Sequence, residues 1–148
     1  MRIVRASDQH LEPWARLRAE LWPDGAIEIH REDLKRLFLS GNGDAIAFLA
    51  LDDADGIAGF AEATLRHDFV NGCSSSPVLF LEGIYVRPPA RRNGVARLLC
   101  AAVAGWGTAR GCTEFGSDAL LENVESHAFH QALGFGEAER VVFFRKIL

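Results

Sequence analysis

Residues 78–96 read VLFLEGIYVRPPARRNGVA, and the fold is decided in this stretch. Val78-Leu79-Phe80-Leu81 is a continuous apolar run, the pattern of a strand covered on both faces. Glu82 and Gly83 interrupt it, Ile84-Tyr85-Val86 resume it, and Pro88-Pro89 stop it, since proline has no N–H for a ladder and fixes its own φ. Arg91-Arg92-Asn93-Gly94-Val95-Ala96 follows, then a helical pattern: Val95, Leu98, Leu99, Ala102, Val103 and Trp106 recur at offsets 0, 3, 4, 7, 8 and 11. A strand, a basic glycine-containing turn and a helix aim backbone N–H groups and a helix N-terminus at one place, where an anion is stabilised. Taken alone, the same turn also fits an ordinary strand-to-helix connection with solvated arginines. No P-loop pattern G-x-x-x-x-G-K-[ST] and no G-x-G-x-x-G dinucleotide pattern occurs.

Working outward, Ile3-Val4 reads as a first strand. Ser7 or Asp8 caps a helix carrying Leu11, Trp14, Leu17 and Leu21, which ends at Trp22-Pro23-Asp24-Gly25. A second helix is expected from Ile29 to Leu39. Ala45–Leu51 and Ile57–Leu65 form a hairpin through Asp52–Gly56, and Phe60 alternating with Ala61 and Glu62 predicts a strand only partly buried. Arg66–Pro77 is a long polar loop. Gly111 stops the helix that starts at Gly94, Glu114–Ser117 makes a short strand ending at Asp118, and Asn123 and Gly134 bound a last helix. Val141-Val142-Phe143-Phe144 is expected to close the sheet, its adjacent apolar residues covered either within the domain or by a second subunit.

The 148 residues suit one domain, with 49% hydrophobic and 24% charged residues and a net charge of −4. No apolar run approaches the roughly 20 residues of a membrane span, and the first residues show no signal-peptide pattern, so a cytoplasmic location is expected. The charge speaks against nucleic acid as partner. Cys73, Cys100 and Cys112 lack metal-ligand spacing and are expected to be free thiols, with no metal.

R-x-x-G-x-A after a strand ending in V-x-P resembles the acyl-CoA motif of the GCN5-related N-acetyltransferases (GNAT). Asn123, Ser126, His130 and Leu133-Gly134-Phe135 resemble that superfamily's second block. The resemblance implies an α/β (α+β) fold with a mixed, mostly antiparallel central sheet flanked by helices and with splayed central strands. It also implies acetyl-CoA as cosubstrate, held by Ile84, Tyr85, Val86, Arg92, Asn93, Gly94, Val95, Ala96, Arg97 and Asn123. Within the superfamily, Leu21-Trp22-Pro23, Arg66–Cys73, Phe80–Ile84, Ser117-Asp118 and Ala138–Val141 are similar to the aminoglycoside 6'-N-acetyltransferases. By that resemblance Trp22, Phe69, Glu82, Asp118 and Glu139 line an antibiotic site, Phe69 standing where tyrosine is expected. His130 takes the place of the tyrosine that protonates the departing thiolate. The resemblance further implies a homodimer.

Acetyl transfer needs a neutral amine, a donor for the oxyanion and a proton for the sulfur. Glu82 is the candidate proton relay, Asp118 the second carboxylate and His130 the candidate acid, with the Ile84 N–H as oxyanion donor. Each has a plainer reading: an ion pair of Glu82 with Arg66 or Arg87 at a bulge, a turn cap for Asp118, a surface residue for Glu139, a helix histidine for His130, and edge packing for Trp22. Two other functions fit the same motifs, acetylation of a polyamine or protein N-terminus and a non-catalytic CoA-binding module. Neither involves a membrane.

Overall fold

A computed structural model describes all 148 residues. Five strands form one sheet in the order β1-β2-β3-β4-β5: β1 Arg2–Arg5, β2 Ala45–Leu51, β3 Ile57–Arg66, β4 Val78–Val86 and β5 Phe115–Gly116. The first three pairings are antiparallel and β4 pairs parallel with β5. That last pairing covers only Leu79↔Phe115 and Phe80↔Gly116, so β4 has no neighbour on this side from Leu81 onward. The mixed, mostly antiparallel sheet flanked by helices is the architecture expected from the sequence, although the strands that part are β4 and the edge strand β5 rather than two central strands.

Helices cover both faces. On one, α3 (Val95–Thr108) buries Val95, Leu99 and Val103 against Ile46, Ala61, Leu79 and Leu81. Gly107 lets α3 close onto the sheet, since a methyl there would stand 2.6 Å from a Leu79 Cδ. On the other face, α1 (Leu11–Leu21) and α2 (Ile27–Leu34) set Trp14, Leu17 and Leu34 over Leu49, Ile57 and Phe60. Each such side chain taken fully out of water contributes about 1.5–3 kcal/mol. A last helix, α4 (Val124–Ala132), is capped by Asn123, whose Oδ1 accepts the Ser126 N–H at 3.1 Å.

Three expectations are corrected. The second helix begins at Ile27 rather than Ile29, and its last turn, Lys35–Leu39, is π-helical. The alternation at Phe60-Ala61-Glu62 does not mark a half-exposed strand: Ile57 to Ala63 is buried throughout, and Glu62 is 0% exposed. Its polar side chain points into the layer under α1, where it is fully partnered. Val141–Phe144 forms no strand within the chain and remains 44–93% exposed, because no element of the same chain covers that arm.

Candidate active site

The site is built around a β-bulge. Glu62 pairs with Gly83 and Ala63 with Leu81, leaving Glu82 without a partner on β3. An inserted residue bends and twists its strand, and here it leaves Glu82 and Gly83 on the same, α1 side of the sheet. Beside it opens a cleft of about 380 Å³ lined by Arg18, Trp22, Leu37, Phe38, Glu62, Thr64 and Glu82. The family resemblance named Trp22 and Glu82 for such a site. It missed the other five.

Glu82 is engaged on one side. Its Oε1 accepts from Thr64 Oγ1 at 2.5 Å and from Arg66 Nη2 at 3.0 Å, and Oε2 accepts from the same nitrogen at 3.0 Å. Arg66 is itself held flat, its guanidinium carbon 3.5 Å from the centre of the Phe80 ring. The ion pair at a bulge is therefore present, and it leaves the carboxylate partly exposed to the cleft. Across the bulge, Gly83 is the floor on which Trp22 rests: a methyl at Gly83 would stand 2.8 Å from Trp22 Cζ2.

Behind Trp22 lies a buried polar chain. Arg18 Nε donates to both oxygens of Glu62 at 3.0 Å, and Trp14 Nε1 donates to Oε1 at 3.1 Å. Arg18 Nη1 reaches His30 Nδ1 at 3.4 Å and Asp33 Oδ2 at 3.5 Å. His30 Nε2 bonds the Trp22 carbonyl at 3.1 Å, which fixes the proton on Nε2 and leaves Nδ1 to accept. Burial pushes the Glu62 carboxyl up to about 7, against the pull of the Arg18 charge and of its hydrogen bonds to Arg18 and Trp14.

The turn after β4 presents its backbone. Arg92 and Gly94 have positive φ, 63° and 75°, and Gly94 is the N-cap of α3. Arg91 is drawn back, its Nε donating to the Val86 carbonyl at 2.8 Å. The first amides of α3 have no carbonyl one turn earlier to bond, so the N–H groups of Val95, Ala96 and Arg97 point past the helix start, at the positive end of the helix dipole. The Arg97 side chain donates to the Ala132 carbonyl at 3.3 Å and so joins α3 to α4. Ile84, Tyr85 and Val86 lie where β4 has lost β5, and the Tyr85 hydroxyl donates to Glu20 at 2.9 Å.

His130 sits at the crotch of the parted strands. Its Nδ1 is 2.7 Å from the Ser126 carbonyl and its Nε2 is 2.8 Å from Ser117 Oγ, which also lies 3.4 Å from the Leu81 carbonyl. A carbonyl only accepts, so the neutral ring carries its proton on Nδ1 and accepts the Ser117 hydroxyl at Nε2. Proton donation toward Ser117 requires the imidazolium. Phe69, Asp118 and Glu139 are exposed and outside the lining of the cleft. Phe69 belongs to the loop Arg66–Pro77, and Glu139 packs near Gly72 of that loop.

A cleft with two carboxylates and an aromatic wall, opening beside a strand gap that leads to outward-facing amides, is the layout of an enzyme that moves a group from an anionic carrier to a cationic acceptor. The chain belongs to the acetyltransferase (GNAT) family, whose model matches residues 10–135. It is 50% identical over 147 residues to an aminoglycoside N(6')-acetyltransferase type 1 of Salmonella enteritidis, with 99% of each chain covered. Among solved structures it resembles AAC(6')-Iy in complex with the bisubstrate analogue CoA-S-monomethyl-acetylneamine, with TM-score 0.92, 48% identity and 99% and 98% of the two chains covered. It also resembles the aminoglycoside 6'-N-acetyltransferase AAC(6')-Ih of Acinetobacter baumannii, with TM-score 0.94, 43% identity and the same coverage.

The raised Glu62 carboxyl makes stability depend on pH with a definite sign. Between about pH 4.5 and 7 the folded chain keeps a proton on Glu62 that the unfolded chain has released, so this group's contribution to stability declines as pH rises through that window. Urea unfolding of the wild type and of Glu62→Gln should give a free-energy difference that favours the wild type less at pH 8 than at pH 5. A difference growing with pH would mean that the Arg18 pairing outweighs burial.

Proposed function

We propose that this chain transfers the acetyl group of acetyl-CoA to the 6'-amine of aminoglycosides and thereby confers resistance to them. One observation carries the reading: the Glu82 bulge puts a carboxylate and the Trp22 wall beside the place where β4 parts from β5. The near full-length likeness to enzymes named for this reaction supports it. We assign the reaction to the cytoplasm, the location expected from the sequence. No helix is long and apolar enough to cross a membrane.

The amides of Arg92 to Arg97 receive the pyrophosphate, with Gly94 leaving the backbone approachable. The pantetheine arm lies along Ile84, Tyr85 and Val86, an N–H of that edge meets the oxyanion, and Asn123 borders the same gap. The amine attacks the thioester carbonyl, the C–S bond breaks, and the thiolate takes a proton from His130 in its imidazolium form, through Ser117. Glu82 orients the amine and passes its proton to water. Its pairing with Arg66 is half-exposed, and such pairs contribute about 0–1 kcal/mol, so an arriving ammonium shares the carboxylate at little cost. Asp118, Glu139 and Phe69, on segments flanking the cleft, meet the outer amines and a sugar face.

A turnover assay with acetyl-CoA and an amine panel tests this. Aminoglycosides with a 6'-amine should be acetylated and their 6'-hydroxyl analogues should not form amide. Their KM should rise with ionic strength far more than that of a monoamine, because several carboxylates meet one polycation. Faster turnover of polyamines or peptide N-termini than of every 6'-amino aminoglycoside would leave acetyltransfer standing and remove this substrate.

We also propose a homodimer in which the second copy covers Val141–Phe144. Val142, Phe143, Phe144 and Ile147 are 77–93% exposed in the single chain, and an apolar arm of that size is a recurrent mark of an interface. Sedimentation at micromolar concentration should show a dimer for the wild type and a monomer for Phe143→Glu/Phe144→Glu. A wild-type monomer contradicts the proposal.

A further inference from the structure

Glu62 is the fully buried carboxylate of the fold, and the chemistry proposed above makes no use of it. Taking an ion pair out of water costs several kcal/mol per ion before pairing returns part of it, and well-packed apolar residues of similar volume often do as well or better. Stability alone does not account for a Glu62–Arg18 pair beneath the cleft. Its geometry does. Arg18 projects its Nε edge to Glu62, its Nη1 to His30 and Asp33, and its guanidinium carbon lies 4.8 Å from the centre of the Trp22 ring. The Trp22 ring also meets Phe60, centroid to centroid 6.3 Å, and rests on Gly83, the residue that pairs with Glu62 across the bulge. Its backbone is held by the His30 bond to its carbonyl. One carboxylate thus sets the arginine, and the arginine and histidine together set the indole.

We infer that Glu62 is a positioning residue which, through Arg18, holds Trp22 in the orientation that receives the acceptor's sugar ring, and so determines acceptor affinity without touching the acceptor. The inference rests on Trp22 being the wall of the acceptor site, as proposed above. The groups that face Glu62 are Arg18 and Trp14 from α1 and Glu82 across the bulge on β4, with His30 and Asp33 of α2 behind Arg18. Glutamine at this position keeps the volume but loses the charge, and one of its two polar atoms becomes a donor facing the Arg18 Nε–H. The Arg18 Nε–H then loses one of the two carboxylate oxygens it is shared between, and the Trp22 ring loses the cation fixed over its face, an interaction that is strongest when desolvated. The chain of contacts ends at Phe60 and Gly83, which border Tyr85 and Ile84, and does not reach Arg92–Ala96, so the phosphate-binding turn for acetyl-CoA stays outside it.

The test is a double-mutant cycle in steady-state kinetics, with tobramycin as acceptor. Glu62→Gln should raise the tobramycin KM about tenfold, a change worth roughly 1.4 kcal/mol, and leave the acetyl-CoA KM within about twofold. Trp22→Ala should raise the tobramycin KM at least as much. In the Trp22→Ala background, Glu62→Gln should add less than about a twofold change, because its effect passes through the missing ring. Arg18→Lys keeps the charge but loses the planar fork; it should behave as Glu62→Gln does, and it replaces that variant in the cycle should Glu62→Gln fail to fold. Effects that multiply across the cycle, or equal rises in both KM values, overturn the inference while leaving Trp22 as the wall. A Trp22→Ala enzyme with unchanged tobramycin KM removes the wall and this inference with it.

Discussion

The structure depends on one irregularity, the extra residue in β4 opposite Glu62 and Ala63. Without it Gly83 would alternate onto the α3 face with Leu79 and Leu81. With it, Gly83 shares the α1 side with Glu82 and comes under the Trp22 ring, and the strand continues past the point where β5 has ended. The proposed acceptor and carrier sites therefore meet at one bend. The turn at Arg92–Gly94 and the amides of α3 are reached along the same strand, so the proposed carrier site is placed by β4 and elements downstream of it, while the Trp22 wall comes from the end of α1 upstream.

Electrostatically, the two carboxylates of the cleft have opposite characters. Glu62 is sealed and shares its charge with Arg18, which keeps that arginine and the adjoining indole in place. Glu82 stands half in solvent, braced by Arg66 and Thr64, and still has room for an ammonium group. Exposed pairs are cheap to rearrange and buried ones are not. The same side-chain chemistry thus serves as fixed frame in one case and as exchangeable contact in the other, and burial alone makes the difference. Leu37 and Phe38 complete the cleft from the π-helical turn, whose wider winding aims side chains that a regular helix would place elsewhere.

Much of this is legible in the sequence because it is local. The run Val78–Leu81, the proline stop, the glycine-containing turn and the helical spacing from Val95 each follow from neighbouring residues, and the expected strands and helices stand close to their predicted bounds. The misreadings share a different cause. Glu62 looks like the polar half of an alternating strand until Arg18, 44 positions away, is brought against it. A clue was present in the spacing of Trp14, Arg18 and Trp22, which lie along one line of the first helix and its end, but it takes the fold to bring Glu62 under that line. The adjacent apolar residues of Val141–Phe144 read as a strand covered on both faces, yet a sequence does not say whether a cover comes from its own chain, and within this chain none does. Phe69, Asp118 and Glu139 are carried by loops, and their approach to a substrate depends on contacts that no periodicity encodes.

In the proposed reaction the acceptor amine meets Glu82 at the bulge with its ring against Trp22. A crystal structure of the enzyme with CoA and tobramycin tests this directly. The 6'-nitrogen is expected within hydrogen-bonding distance of the Glu82 carboxylate, the ring that bears it stacked on Trp22, and the CoA sulfur in the gap between β4 and β5. Tobramycin bound over the loop Arg66–Pro77 with Trp22 uncovered, or with its 6'-nitrogen turned away from Glu82, would contradict that placement.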